Sequence, residues 1–88
     1  MDQFQRNEQI INGTLDDNLV MLHIEKGKYY GLNPVGRRIW ELLEQPKSAE
    51  QLVQALLEEY EVAEQQCREE VTAFLNSALD SGIIVRYG

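Results

Sequence analysis

Few side chains in this sequence are equipped for chemistry. His23 is the single histidine and Cys67 the single cysteine. No serine or cysteine lies close to His23 in sequence to make a nucleophile–base couple, and a structural metal needs several nitrogen or sulfur donors. Cys67 falls on the apolar stripe of a helical segment, where a thiol behaves as a small hydrophobe. Carboxylates are abundant, but Glu58, Glu59, Glu61, Glu64, Glu69 and Glu70 read as a solvated cluster around one turn and helix. A phosphate-cradling glycine loop and a metal-ligand spacing are both missing from the sequence. The expectation is a protein that is not an enzyme and uses no metal or cofactor, so its function must lie in what it binds.

The element that organises the chain is the stretch from Lys28 to Trp40, where a strand turns directly into a helix. Tyr29, Tyr30 and Leu32 suit a pleated surface. Asn33-Pro34 is a helix start: the asparagine side chain can accept a first-turn N–H, and proline lacks the N–H that would go unpaired there. Upstream, Gln9 to Leu15 and Leu19 to Glu25 read as two further strands, separated by turn residues Asp16-Asp17-Asn18. In the second of these, Val20, Leu22 and Ile24 share one face and Leu19, Met21, His23 and Glu25 the other. Lys26-Gly27 makes a tight turn before the third strand, Lys28 to Leu32. Residues 1 to 7 are polar apart from Met1 and Phe4 and are expected to fray or pack loosely.

Downstream, Val35, Ile39, Leu42 and Leu43 recur at helical spacing, giving a helix from about Pro34 to Glu44. Ser48 with Gln51 is a capping-box pattern, and Leu52, Val53, Leu56, Leu57 and Tyr60 trace the stripe of a second helix. A third helix begins near Ala63 or Glu64, without a capping side chain, and carries Cys67, Val71, Phe74, Leu75, Ala78 and Leu79 on a broad face. Gly82 suits its C-terminal stop, and Ile83-Ile84-Val85 is either a short strand or an apolar tail. The fold class is α+β and winged helix-turn-helix-like: a three-stranded antiparallel N-terminal sheet followed by three helices, in one domain over residues 1–88.

Composition narrows the partners. With 15 acidic against 8 basic side chains the net charge is −7, which disfavours nucleic acid and anionic membranes. The third helix would be the recognition helix of a winged-helix DNA binder, yet its region holds six glutamates and only Arg68, and Arg37 and Arg38 lie on another helix. No run approaches the length of a membrane span, the first residues lack a signal-peptide pattern, and one cysteine fits a reducing compartment. The cytosol is therefore the expected location. What remains is a strand edge, whose unpaired N–H and C=O groups can take an added peptide strand. The third strand is the plausible edge, with a helix as the second wall of a groove. Trp40 is expected at the edge of the core.

The residues Gly27-Lys28-Tyr29-Tyr30-Gly31-Leu32-Asn33-Pro34-Val35-Gly36, followed by Ile39-Trp40, resemble the strand-to-helix signature of PqqD-like proteins. These are the precursor-recognition elements of ribosomally made, post-translationally modified peptides. The resemblance covers residues 9 to 85 and is nearest to the stand-alone members of lasso-peptide pathways. It implies a winged-helix-like fold that binds no DNA and instead takes the leader segment of a precursor as an added strand. The backbone of Lys28, Tyr29, Tyr30, Gly31 and Leu32 would pair with the leader, and pocket walls would come from Tyr29 or Tyr30 and from Cys67, Arg68, Val71 and Leu75. It further implies a non-catalytic adaptor that presents the precursor to a separate cysteine-protease-like leader peptidase and then a cyclase. A PqqD-type chaperone for a radical-enzyme pathway, a winged-helix regulator, and an assembly module that dimerises through the same edge stay open as alternatives.

Overall fold

The structure is a computed structural model that describes residues 2–15, 18–24 and 26–87, with the side chains of Thr14, Leu15, Asn18, Leu19, Lys28, Tyr29 and Tyr87 outside that description. The elements run β1 (Gln3–Arg6), β2 (Ile10–Leu15), β3 (Asn18–His23), β4 (Lys28–Gly31), α1 (Pro34–Leu42), β5 (Lys47–Ser48), α2 (Ala49–Glu59), α3 (Glu64–Ser81) and β6 (Ile84–Tyr87). This is the expected α+β, winged-helix-like arrangement, with one addition. The three expected strands form an antiparallel sheet in the order β2-β3-β4, and a second sheet in the order β5-β1-β6 joins the two ends of the chain.

That second sheet corrects the expectation that residues 1 to 7 fray or pack loosely. Gln3 to Arg6 pair antiparallel with Tyr87 to Ile84, and Phe4 is buried in the core. The pairing partner lies at the far end of the chain, so local sequence gave no sign of it. It also resolves the C-terminal alternatives in favour of a strand. Arg6 adds a further tie: its guanidinium donates to the Trp40 carbonyl from Nε at 3.0 Å and from Nη2 at 2.6 Å, and it lies 4.5 Å from the centroid of the Trp40 ring. A cation at the last carbonyls of α1 complements the negative end of that helix. Burial lowers the Arg6 pKa in spite of the raising influence of Glu44 and Glu41.

Several helix boundaries have a reason visible in the sequence. Asn33 caps α1, its Oδ1 accepting from Gly36 N at 2.7 Å, with Pro34 in the first turn. The capping box of α2 is complete: Ser48 Oγ accepts from Gln51 N at 3.2 Å and Gln51 Oε1 accepts from Ser48 N at 2.8 Å. α3 starts at Glu64 with no side-chain cap and stops at Gly82, whose φ of +81° is the left-handed conformation that favours glycine. Ile83 N then donates to Ala78 O and Gly82 N to Leu79 O, at 3.0 and 3.2 Å, the paired bonds that close a helix on a left-handed residue. α1 ends two residues before Glu44 because Leu43 leaves helical geometry as its C-cap.

The helices and both sheets share one core. Ile39, Trp40 and Leu43 from the α1 segment, Leu52, Val53 and Leu56 from α2, and Cys67, Val71, Leu75 and Ala78 from α3 are all buried, together with Met21, Phe4, Ile83 and Ile84. Trp40 is thus inside the core and not at its edge. Tyr60, expected on the α2 stripe, ends that helix and is exposed. In β3 it is the Met21 and His23 face that is buried, while Ile24 is exposed. Two ion pairs clamp the helices from outside. Arg38 reaches Glu59 with both bonds at 2.7 Å, and Arg68 reaches Glu50 at 2.7 and 2.9 Å.

Candidate functional site

β4 is bonded to β3 along one edge, with Tyr30 opposite Met21 and Gly31 opposite Val20. Among the described residues no strand pairs with its other edge. An edge strand points alternate N–H and C=O groups outward, and here they face α3 across a groove. At one end of the groove Tyr30, Gly31 and Leu32 face Phe74, Ser77 and Ser81. Towards the other end, in a hollow of about 370 Å³, Leu32, Asn33 and Gly36 face Glu70, Ala73 and Phe74. β4 and α3 therefore run in opposite directions along the groove walls.

Gly36 sets the floor. A Cβ at that position would lie 3.3 Å from two ring atoms of Phe74 and 3.1 Å from Asn33 Oδ1, so the missing side chain is what lets the Phe74 ring sit against α1. The β4 end is closed by the last carbonyl of α3. Ser81 O accepts from Lys26 Nζ at 3.0 Å and lies 3.4 Å from the Tyr30 hydroxyl. A lysine there complements the negative end of the α3 dipole. His23 supports the same corner from below: it is buried, and its Nδ1 accepts from Lys26 N at 3.4 Å. Its role is structural, holding the turn that leads into β4.

Of the residues expected to form the site, the structure brings Tyr30, Gly31 and Leu32 to the groove. Lys28 and Tyr29 contribute backbone to β4, and their side chains lie outside the described part. Cys67, Val71 and Leu75, expected as pocket walls, are 3%, 0% and 3% exposed, so their side chains face the core and not the groove. Burial pushes the Cys67 thiol pKa up, and Glu70 adds to the rise, as fits an inert core cysteine. Arg68, also expected as a pocket wall, points away from the groove. It lies on the outer face of α3, bonded to Glu50 and to Glu64, beside a broad depression that residues of α3 alone line.

The α3 residues that line the groove are the neighbouring stripe, Glu70, Phe74, Ser77 and Ser81, spaced four, three and four, beside the buried Cys67, Val71, Leu75 and Ala78, spaced four, four and three. The signal for it was Phe74, a large apolar side chain in an otherwise polar stripe, which the broad apolar face of α3 absorbed. Among the described residues no group of three His, Cys, Asp or Glu side chains could hold a metal ion, and no helix is long and apolar enough to cross a membrane.

The family model for coenzyme PQQ synthesis protein D (PqqD) matches residues 18–84, from the start of β3 to the first residue of β6. The chain belongs to the PqqD family. This PqqD-family chain is also similar to two solved structures over nearly its whole length. One, described as TbiB1 in complex with the TbiA(beta) leader peptide, is 32% identical, with a TM-score of 0.83 over 96% of this chain and 98% of that one. The other, described as lasso peptide synthetase B1 complexed with the leader peptide, is 25% identical, with a TM-score of 0.79 over 93% and 96%. A search of curated proteins gives no match.

Proposed function

We propose that this PqqD-family protein is a non-catalytic adaptor that binds the leader segment of a ribosomal precursor peptide in lasso-peptide biosynthesis. The leader adds as a strand to the open edge of β4 and lies against Phe74 and Ser77 of α3. The adaptor works in the cytosol and presents the precursor to a separate leader peptidase of the cysteine-protease type and then to a cyclase. The observation that carries this reading is the β4 edge, unpaired among the described residues, facing the half-buried Phe74 across a groove, in a chain similar to two solved structures described as leader-peptide complexes. The family match by itself suits a PqqD-type chaperone equally well; the similar structure described as lasso peptide synthetase B1 favours the lasso pathway.

The energetics say where affinity must come from. Ordering a disordered peptide costs roughly 1–2 kcal/mol per residue, so six residues lose on the order of 10 kcal/mol. Net backbone hydrogen bonds return only about 0.5–1.5 kcal/mol each. Two or three buried apolar anchors, at roughly 1.5–3 kcal/mol apiece, decide the outcome, and Leu32, Val35 and Phe74 supply the apolar surface to receive them.

The test is a calorimetric titration with the leader of the precursor encoded beside this chain. Saturable binding is expected, and Ser77→Trp, which fills the groove from an exposed position, is expected to weaken it at least about tenfold without lowering the unfolding midpoint. Thr72→Trp, on the outer face of α3, should leave binding intact. Absence of saturable binding, with retention of the protein by duplex DNA at physiological salt, would move the assignment to a winged-helix regulator.

A further inference from the structure

The groove is charged at its two ends and neutral between them. Glu70 stands at the end beside Asn33, and Lys26 stands at the end beside Tyr30, with its ammonium on the Ser81 carbonyl. Both side chains are exposed. Glu41, Glu50, Glu59 and Glu64 each hold an arginine. Among the described residues Glu70 pairs with no cation and Lys26 with no carboxylate. Between them the walls offer Gly31, Leu32, Ala73, Phe74 and Ser77, none of them charged.

Ser81 lies eleven positions after Glu70 along α3, which is roughly 16 Å of helix rise. An extended peptide covers that distance in about five residues. Side chains of a strand alternate, so two that both lean towards α3 are an even number apart, four or six. The sheet that the peptide would extend is antiparallel throughout. β4 runs from the Lys26 end towards the Glu70 end, so an antiparallel addition enters at Glu70 and leaves at Lys26.

We propose, resting on the leader-binding reading above, that the groove fixes the direction and register of its peptide by charge: a lysine or arginine beside Glu70, followed four or six residues later by an aspartate or glutamate beside Lys26. Apolar anchors supply the affinity, and the two charges supply the order. A peptide entered in the reverse direction, or slipped along β4, places like charges together or leaves both ends unpaired.

The experiment is a selection of displayed random twelve-residue peptides on the full chain and on the E70K/K26E double variant. Recovered peptides are then titrated into labelled protein while the backbone amides of Gly31 to Asn33 and of Ser77 are followed. Groove-binding peptides from the unaltered chain are expected to carry the basic-then-acidic order, and those from the double variant the reverse. Glu70→Gln and Lys26→Gln should each weaken a basic-first peptide about two- to fivefold, the range of an exposed ion pair, and the loss should fade in high salt. Groove binders with no charge order, or the same order from both proteins, overturn the inference and leave the leader-binding reading standing. If no recovered peptide shifts the groove amides, the leader-binding reading fails and the inference with it.

Discussion

The two sheets of this protein solve opposite problems. The sheet of β1, β5 and β6 joins the first residues of the chain to the last, buries Phe4 against the helices, and is tied further by Asn7, which donates to Gly82 O at 2.8 Å. The sheet of β2, β3 and β4 is built from neighbouring segments, buries Met21 and His23 on one face, and leaves Ile11 and Ile24 exposed at 55%. The first uses the chain's own ends to complete itself, whereas the second ends on β4, whose outer edge no described strand covers. An uncovered edge is a hazard for aggregation unless something is meant to occupy it. On the proposed leader-binding reading, the groove against α3 gives that edge a specific occupant by enclosing peptide side chains that strand pairing alone would not read.

The contrast can be broken by substitution, most severely in the first sheet. Phe4→Ala removes a buried ring that ties β1 to the core and is expected to cost about 3 kcal/mol or more, read as a lower denaturation midpoint. Ile11→Ala, on the exposed face of β2, should stay within about 0.5 kcal/mol. Equal losses from the two would mean that the sheets are not divided in this way.

The junction between the two sheets is the next place to press. Gly82→Ala would put a side chain at φ +81° and bring its Cβ to 3.1 Å from His23 Nε2, at the corner that also holds Lys26. A loss of about 1–2 kcal/mol is expected from the left-handed backbone alone, with weaker leader binding because the end of the groove loosens. Unchanged affinity in a destabilised variant would separate that corner from the site.

The smallest effect concerns the outer clamp on α3. The hydrogen bonds of Arg68, followed by that of Gln54, hold the Glu50 carboxyl at a pKa of about 2, below its ordinary 4.5. A depressed carboxylate stabilises the fold above its unfolded value and loses that contribution as pH falls through its folded value. Glu50→Gln should therefore lower the melting midpoint slightly at neutral pH, and the difference from the unaltered chain should close between about pH 4.5 and pH 2. A difference that persists at pH 2 would mean the pair is not its source.

How far the sequence could be read depended on the range of the interactions. Asn33-Pro34, Ser48 with Gln51, and Gly82 act on backbone groups a few residues away, and each stands where its chemistry places it. Phe4 pairs with Arg86 across nearly the whole chain, which no local pattern announces. The groove fell between these cases. The β4 edge and its neighbour α3 were legible, but the helix has two adjacent stripes at helical spacing, and apolar character alone selected the buried one. Cys67, Val71 and Leu75 satisfy the core; Glu70, Phe74 and Ser77 are left to face β4. Only the packing of α2 on the first stripe distinguishes them.

The central claim, that the open edge of β4 receives a peptide strand, is tested most directly by amide hydrogen exchange with and without bound leader. The account predicts that leader binding slows exchange at outward-facing amides of Lys28 to Gly31 and leaves the β2 edge unchanged. Protection that appears along β2, or on the Arg68 face of α3 with β4 unaffected, would contradict it.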